Sequence, residues 1–142
     1  MSIVLGYADS PHGQAALDEA KAQAKQRGAR LHLVRYIGHD SGDSPTRLRE
    51  EQAEAERVEK RLDALREQLA RESIEATVEV RHGLRQGVSE ALLDTAERED
   101  AELVVIGMRR RSPVGKLVMG SVVQDVLLGS TCPVLAVKAP EA

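Results

Sequence analysis

Aromatic residues and cysteine are nearly absent from this chain of 142 residues. It has no Trp and no Phe, two tyrosines (Tyr7 and Tyr36) and a single cysteine, Cys132. Without rings to stack on bases, binding of single-stranded nucleic acid is not expected. One cysteine excludes an intrachain disulfide. The core must therefore be built from aliphatic side chains.

Long apolar runs and an excess of positive charge are also missing. No apolar segment approaches the ~18 residues of a membrane-spanning helix, and the N-terminus lacks a basic and hydrophobic leader. Twenty basic against 23 acidic residues give a formal charge of −3, which does not favour non-specific DNA binding. We expect a cytoplasmic protein that binds neither nucleic acid nor membrane, in which any anion site is local.

Short aliphatic runs that resemble strands recur along the chain: Ile3 to Leu5, Leu31 to Ile37, Thr77 to Val80, Leu103 to Ile106 and Val134 to Val137. Helical patterns separate them, which predicts one α/β domain over residues 1–142, with a single five-stranded parallel sheet and helices on both faces. In the order 3-2-1-4-5, strands one and four meet at the switch point where open sheets bind ligands. The fourth run suits a buried strand, and the alternating third run suits an edge strand.

Four helices are predicted between these strands. The first begins at Ser10-Pro11 and ends near Gly28. The second begins at Ser44-Pro45 and carries one apolar stripe, which a short coiled coil would also explain: Leu48, Ala55, Val58, Leu62, Leu65 and Leu69. The third and fourth are marked by Val88, Leu92 and Ala96, and by Val122, Val126 and Leu127.

The segment from Gly107 to Ser121 is the most informative for function. Its glycines allow close approach of backbone N–H groups, a helix beginning at Ser121 directs its positive end into the loop, and Arg109 to Arg111 with Lys116 add charge. These features favour phosphate binding. The alternative is a surface loop with solvated arginines, in which Ser121 to Gln124 form an ordinary capping box.

Other sites are less well supported. A P-loop is excluded because Arg110 takes the first glycine position before Gly115-Lys116, and Leu117 follows the lysine. Asp9 could accept hydrogen bonds from ribose or adenine, or could cap the first helix. Cys132 suits a small buried thiol, and the histidines (His12, His32, His39 and His82) show no metal-ligand spacing, so no metal site is predicted.

The sequence resembles the universal stress protein (UspA-like) family over essentially its full length. The resemblance is carried by Ile3 to Ser10 with Ala15-Ala16-Leu17, by the glycine loop with Gly120-Ser121, and by Cys132 to Val137. It implies a Rossmann-like fold of the adenine nucleotide alpha hydrolase type with the strand order given above. It also implies a homodimer, commonly formed through the last strand.

ATP-binding members of that family carry GxxG, nine residues, and then Gly followed by Ser or Thr. That spacing is kept here, with Arg110 at the second glycine position. A left-handed backbone there would cost roughly 1–2 kcal/mol, while a guanidinium on phosphate contributes roughly 1.5–3 kcal/mol. The resemblance places Tyr7, Asp9 and Tyr36 around adenine and ribose, and the following residues at the phosphates: Gly107, Met108, Arg109, Gly120, Ser121 and Val122. Arg110 departs from the family pattern and is a further candidate phosphate contact.

These features together favour a dimeric stress-response protein that binds ATP or a related adenine nucleotide, alone or with magnesium, and changes its contacts with an unidentified protein partner. An interaction module without nucleotide, its pocket occluded by Arg110 and Tyr36, is the main alternative. Another phosphorylated ligand, such as a cyclic nucleotide, is a third. No catalytic residues are predicted, and ATP hydrolysis would at most be slow.

Overall fold

Strands and helices alternate along the whole chain. The computed structural model describes residues 1–39, 45–109 and 120–139. Its elements are, in order, β1 (Ser2–Gly6), α1 (Pro11–Arg27), β2 (Arg30–His39), α2 (Pro45–Arg71), β3 (Ala76–Leu84), a 3-10 turn (Arg85–Gly87), α3 (Val88–Arg98), β4 (Ala101–Met108), α4 (Ser121–Gly129) and β5 (Val134–Lys138).

The strands form one parallel sheet in the order β3-β2-β1-β4-β5. This confirms the fold class and the strand order predicted from the sequence. β1 pairs with β2 on one side and with β4 on the other. The connection after β1 runs to β2 on one side of the sheet, and the connection after β4 runs to β5 on the other side. The carboxyl ends of β1 and β4 therefore form the switch point, where open sheets bind ligands.

The sheet is covered on both faces because successive side chains of a strand point to opposite sides. Ile3 and Leu5 of β1 pack in a core with α1 and α2, and Val4 packs in a second core with α3 and α4. In β4 the run from Leu103 to Ile106 contributes to both cores and is buried throughout. The prediction of a buried strand is confirmed.

Helix α1 begins and ends where the sequence predicts. Ser10 is its N-cap, and its hydroxyl accepts a hydrogen bond from the Gly13 N–H at 3.0 Å. Gly28 ends the helix in a left-handed conformation (φ 64°), and its N–H donates to the carbonyl of Ala24. Ser10, rather than Asp9, therefore performs the capping role.

Helix α2 buries only part of its predicted apolar stripe. Leu62 and Leu69 are buried, but Leu48, at the N-terminal end of the stripe, is 50% exposed. With 27 residues, the helix is about 40 Å long. The longest strand, β2, has ten residues and spans about 33 Å. The helix is therefore longer than the longest strand, and among the described residues Leu48, near its start, remains exposed.

Helix α4 also differs in detail from its predicted face. Val126 is buried as predicted and Val123 is buried as well, whereas Val122 is only partly buried and Leu127 is 38% exposed. Cys132, in the turn before β5, is partly rather than fully buried, and its Sγ lies 3.4 Å from the Ser130 hydroxyl. Neither residue lies near the carboxyl ends of the strands.

Strand β3 lies at the sheet edge, as predicted, and polar side chains join it to its neighbours. The buried His32 of β2 contacts Thr77 Oγ1 at 2.5 Å and Glu79 Oε1 at 2.9 Å. Burial alone would raise the pKa of Glu79, but hydrogen bonds from His32 and from Arg98 of α3 outweigh it and lower that pKa. His32 therefore has a structural role between β2, β3 and α3.

Among the helices in the described parts of the chain, none is both long and apolar enough to cross a membrane.

Candidate functional site

An open cleft of about 630 Å³, here called the main cleft, lies at the carboxyl ends of β1, β2 and β4. Its floor is formed by Gly6, Val34 and Ile106, which are side by side in the register of the three strands. Leu92 of α3 and Val123 of α4 complete the apolar walls. This volume is within the range of roughly 300–1,000 Å³ that is usual for small-molecule sites.

Most of the residues predicted from the sequence to contact a nucleotide line this cleft. They come from β1, β2, the end of β4 and the start of α4: Tyr7, Tyr36, Gly107, Arg109, Gly120, Ser121 and Val122. Asp9 and Met108 are not part of the lining. Arg110, Arg111 and Lys116 lie outside the described residues.

Asp9 is directed to a different place, beneath helix α2. Its carboxylate is exposed and forms an ion pair with Arg61 of α2, while Ala8 faces the main cleft. Asp9 borders a second cavity of about 210 Å³, here called the α2 cavity. The α2 cavity is lined by Tyr7, Asp9, Arg35, Glu54, Arg57, Val58, Arg61 and Leu62.

Two glycines allow the first turn of α1 to approach the strand ends. A Cβ atom at Gly13 would overlap the carbonyl oxygen of Ala8, and one at Gly107 would lie 2.5 Å from the carbonyl oxygen of His12. Distances this short are incompatible with a side chain at either position. The backbone of α1 thus forms one wall of the main cleft, directly beside the end of β4.

His12 is a lining residue that the sequence analysis did not identify as part of the site. Its Nε2 lies 3.2 Å from the hydroxyl of Ser10. Burial, and then the positive charge of Arg109, lower the pKa of His12, which favours a neutral imidazole. Its place two residues after the helix cap was the available sequence signal, because the first turn of a helix that follows a strand faces the carboxyl edge of the sheet.

Tyr36 forms the opposite wall and is fixed to the end of β3. Its hydroxyl donates a hydrogen bond of 2.6 Å to the carbonyl of Leu84. A Cβ atom at Gly87 would lie 2.7 Å from the same hydroxyl, and one at Gly83 would overlap it. The tyrosine is therefore part of a wall that bounds the cleft, and the cleft volume of about 630 Å³ exists with the ring in place.

The start of α4 lacks the capping box that the sequence allowed. Gly120, in an extended conformation (φ −61°, ψ 151°), is the N-cap and provides no side-chain hydrogen bond. Ser121 is the first helical residue, so it cannot act as the cap; the Gln124 N–H instead donates to the carbonyl of Gly120 at 3.0 Å. The first N–H groups of α4 have no acceptor within the helix, and such groups favour an anion.

The charged residues in the described lining of the main cleft are arginines. Of the described residues that line it, none is Asp or Glu, whereas Arg35 and Arg109 both line it. The chain as a whole is negative, with a formal charge of −3. A negatively charged group bound here would therefore meet local attraction that the overall charge does not provide.

The model of the Universal stress protein family matches residues 1–138 of the chain. A universal stress protein of Mycolicibacterium smegmatis is 37% identical over 136 residues, which cover 96% of each chain. A universal stress protein of Thermus aquaticus is 37% identical over an alignment that covers 96% of this chain and 98% of the relative.

Solved structures with similar folds include two that contain nucleotides. A universal stress protein from Archaeoglobus fulgidus in complex with dAMP aligns over 96% of each chain, with 20% identity and a TM-score of 0.62. A universal stress protein in complex with cAMP aligns over 99% of this chain and 98% of the other, with 21% identity and a TM-score of 0.66.

Proposed function

Because the chain belongs to the universal stress protein family, we propose that it binds ATP or a related adenine nucleotide in the main cleft. The protein would act in the cytoplasm as a stress-response protein, and nucleotide occupancy would change its contacts with a protein partner. The observation that carries the proposal is the lining: an apolar floor, uncapped helical N–H groups and arginines without a carboxylate among the described residues. The dAMP and cAMP complexes of proteins with this fold support it.

The proposed pose places the phosphates between the end of β4 and the start of α4. The N–H groups of Ser121 and Val122 would donate to phosphate oxygens, and Arg109 would contribute charge. Gly107 and Gly120 add no side chain to this part of the cleft. Met108 and Arg110 remain predicted contacts from the same loop.

Adenine and ribose would lie at the other end of the cleft, between Tyr7 and Tyr36 and over the apolar floor. Asp9 remains a predicted contact to the ribose. Because its carboxylate is paired with Arg61, it would have to leave that ion pair to reach a ribose hydroxyl in the main cleft. The backbone and the two tyrosines are the contacts available without rearrangement.

Magnesium, if it accompanies ATP, would be held chiefly by the phosphate oxygens. Mg²⁺ prefers carboxylate oxygens and water, and the described lining offers a hydroxyl, Ser121, but no carboxylate. We therefore propose that magnesium enters with the nucleotide rather than binding beforehand.

Calorimetric titration of protein freed of carried-over ligand tests the proposal. Saturable heat is expected with 5′-AMP and with ATP, and comparison with and without magnesium measures the contribution of the ion. A competition series with cAMP identifies the preferred phosphate arrangement. Absence of both heat and thermal stabilisation up to millimolar nucleotide would contradict nucleotide binding. Binding that is created only by Arg110→Gly would favour the nucleotide-free interaction module.

We also propose that the protein forms a homodimer through β5. Within the described structure β5 pairs only with β4, and its backbone edge would be covered by a twofold partner strand. Leu128, at the nearby end of α4, is 79% exposed and would be covered with it. Light scattering at micromolar concentration should give the mass of a dimer, and a strict monomer would contradict this arrangement.

A further inference from the structure

The main cleft and the α2 cavity are neighbours, because Tyr7 and Arg35 line both of them. Both residues belong to the end of the main cleft where adenine and ribose are proposed to lie. A group attached to the ribose would therefore have a direct route into the α2 cavity. This adjacency makes the second cavity relevant to ligand choice.

The α2 cavity is rich in guanidinium groups. Arg57 and Arg61 lie four residues apart on α2, so they project from the same face of the helix. Arg35 approaches from β2, where one of its terminal N–H groups donates to the carbonyl of Tyr36 at 2.8 Å. A guanidinium has five N–H donors, so most of those on Arg35 are left for other acceptors.

The negative charges of this cavity only partly compensate the arginines. Asp9 is paired with Arg61. Arg57 forms no ion pair with any described residue, and the remaining acid, Glu54, precedes it by one helical turn. Three arginines thus face two carboxylates in a chain that is otherwise net negative.

The size of the cavity limits what it can accept. Its volume of about 210 Å³ is below the ~300 Å³ at which small-molecule sites usually begin. It therefore suits one compact substituent of a ligand rather than a second nucleoside. Arginine forks match the oxygens of a phosphate group, which they bind in a bidentate manner.

We propose that the α2 cavity is a subsite for a second phosphate, carried on the ribose 2′ or 3′ oxygen of the nucleotide in the main cleft. The ligand class is then an adenosine bisphosphate, with one phosphate at each end of the ribose. This inference rests on the proposed nucleotide binding and adds a specificity to it. Arg57 binds the second phosphate, and Arg61 joins it by exchanging Asp9 for a phosphate oxygen.

The test compares 5′-AMP with adenosine 3′,5′-bisphosphate and adenosine 2′,5′-bisphosphate by calorimetry on the full, nucleotide-free chain. One charge-assisted contact between an arginine and the second phosphate corresponds to a gain of about tenfold in affinity. At least one bisphosphate should therefore bind about tenfold tighter than AMP. Arg57→Gln should remove this gain and leave AMP binding intact. Arg66→Gln, on the same helix but outside both cavities, should preserve the gain.

Asp9→Asn gives an independent test, because it should raise the affinity for a bisphosphate whereas Arg57→Gln should lower it. It frees Arg61, so the affinity for the favoured bisphosphate should increase relative to AMP. The inference is overturned if AMP binds and neither bisphosphate binds more tightly, or if the gain survives Arg57→Gln. If neither AMP nor the bisphosphates bind, the proposed function fails and this inference fails with it.

Discussion

The main cleft and the α2 cavity share two residues but are built in different ways. The main cleft is bounded by backbone at α1 and α4, and the described residues that line it include no carboxylate. The α2 cavity is bounded largely by side chains of one helix and contains charges of both signs. An anion can therefore enter the main cleft without displacing an ion pair, whereas in the α2 cavity it competes with Asp9 for Arg61.

The largest effect is expected where backbone segments touch. Gly13→Ala would place a methyl group on the carbonyl oxygen of Ala8. Although alanine usually favours a helix, overpacking of this kind should lower the free energy of unfolding by about 2 kcal/mol and disrupt AMP binding. Urea unfolding and calorimetry measure the two effects. Gln14→Ala, at the exposed neighbouring position, is the control; equal stability of the two variants would contradict the role given to Gly13.

The next largest effect is expected from a comparison of two arginines. Arg109 lines a cleft whose described residues include no carboxylate, whereas Arg61 is paired with Asp9. Arg109→Gln should weaken AMP binding about tenfold, since a charged contact to phosphate is lost. Arg61→Gln should change AMP affinity by less than about twofold, because Arg61 lies outside the main cleft and its charge is compensated by Asp9. Calorimetry at one ionic strength compares them. Equal losses would mean that the two cavities do not act separately.

A smaller effect concerns pH, through His12 of the main cleft. Burial and Arg109 lower the pKa of His12 in the folded protein. As pH falls below about 6.5, the unfolded chain takes up a proton that the folded chain does not, so the free energy of unfolding decreases. The loss continues until the pH passes the lowered pKa of the folded state. His12→Gln should flatten this part of the profile in urea unfolding; an unchanged slope would contradict it.

The smallest effect is expected from Asp9→Asn on AMP itself. The carboxylate lies beside Arg61 and not in the main cleft, so AMP affinity should change by less than about twofold. A direct ribose contact, as the family resemblance implies, would instead give a loss of about tenfold. Calorimetric titration therefore decides which position the side chain takes when ligand is bound.

The fold was largely predictable because its signals are local. Aliphatic runs, Ser10-Pro11 and Gly28 set the strands and the ends of α1 through backbone preferences that operate within a few residues. Alternation of strands and helices predicted a parallel sheet, and the strand order was a hypothesis that the family resemblance supported. The exposure of Leu48 was not predictable, because it depends on which parts of the folded chain pack against the start of α2.

The site was predicted only in part, because the spacing of residues along the sequence does not determine where a side chain points in the folded structure. Ser121 was identified from its position at the start of a helix, and Tyr36 from the family resemblance. The direction of Asp9 depends on Arg61, which lies far along the chain and meets it only in the folded structure. His12 was missed for a related reason: its position matters because α1 approaches the end of β4 at Gly107.

The register that pairs residue 6 with residue 106 has a consequence for the order in which the molecule is assembled. The α2 cavity uses residues only up to Leu62, all of which are synthesised in the first half of the chain. The main cleft also needs Ile106, Gly107, Arg109 and the start of α4, so it requires a contact between distant parts of the chain, and such contacts form slowly. The lining of the α2 cavity is therefore complete along the sequence well before that of the main cleft, which requires β4 to pair with β1.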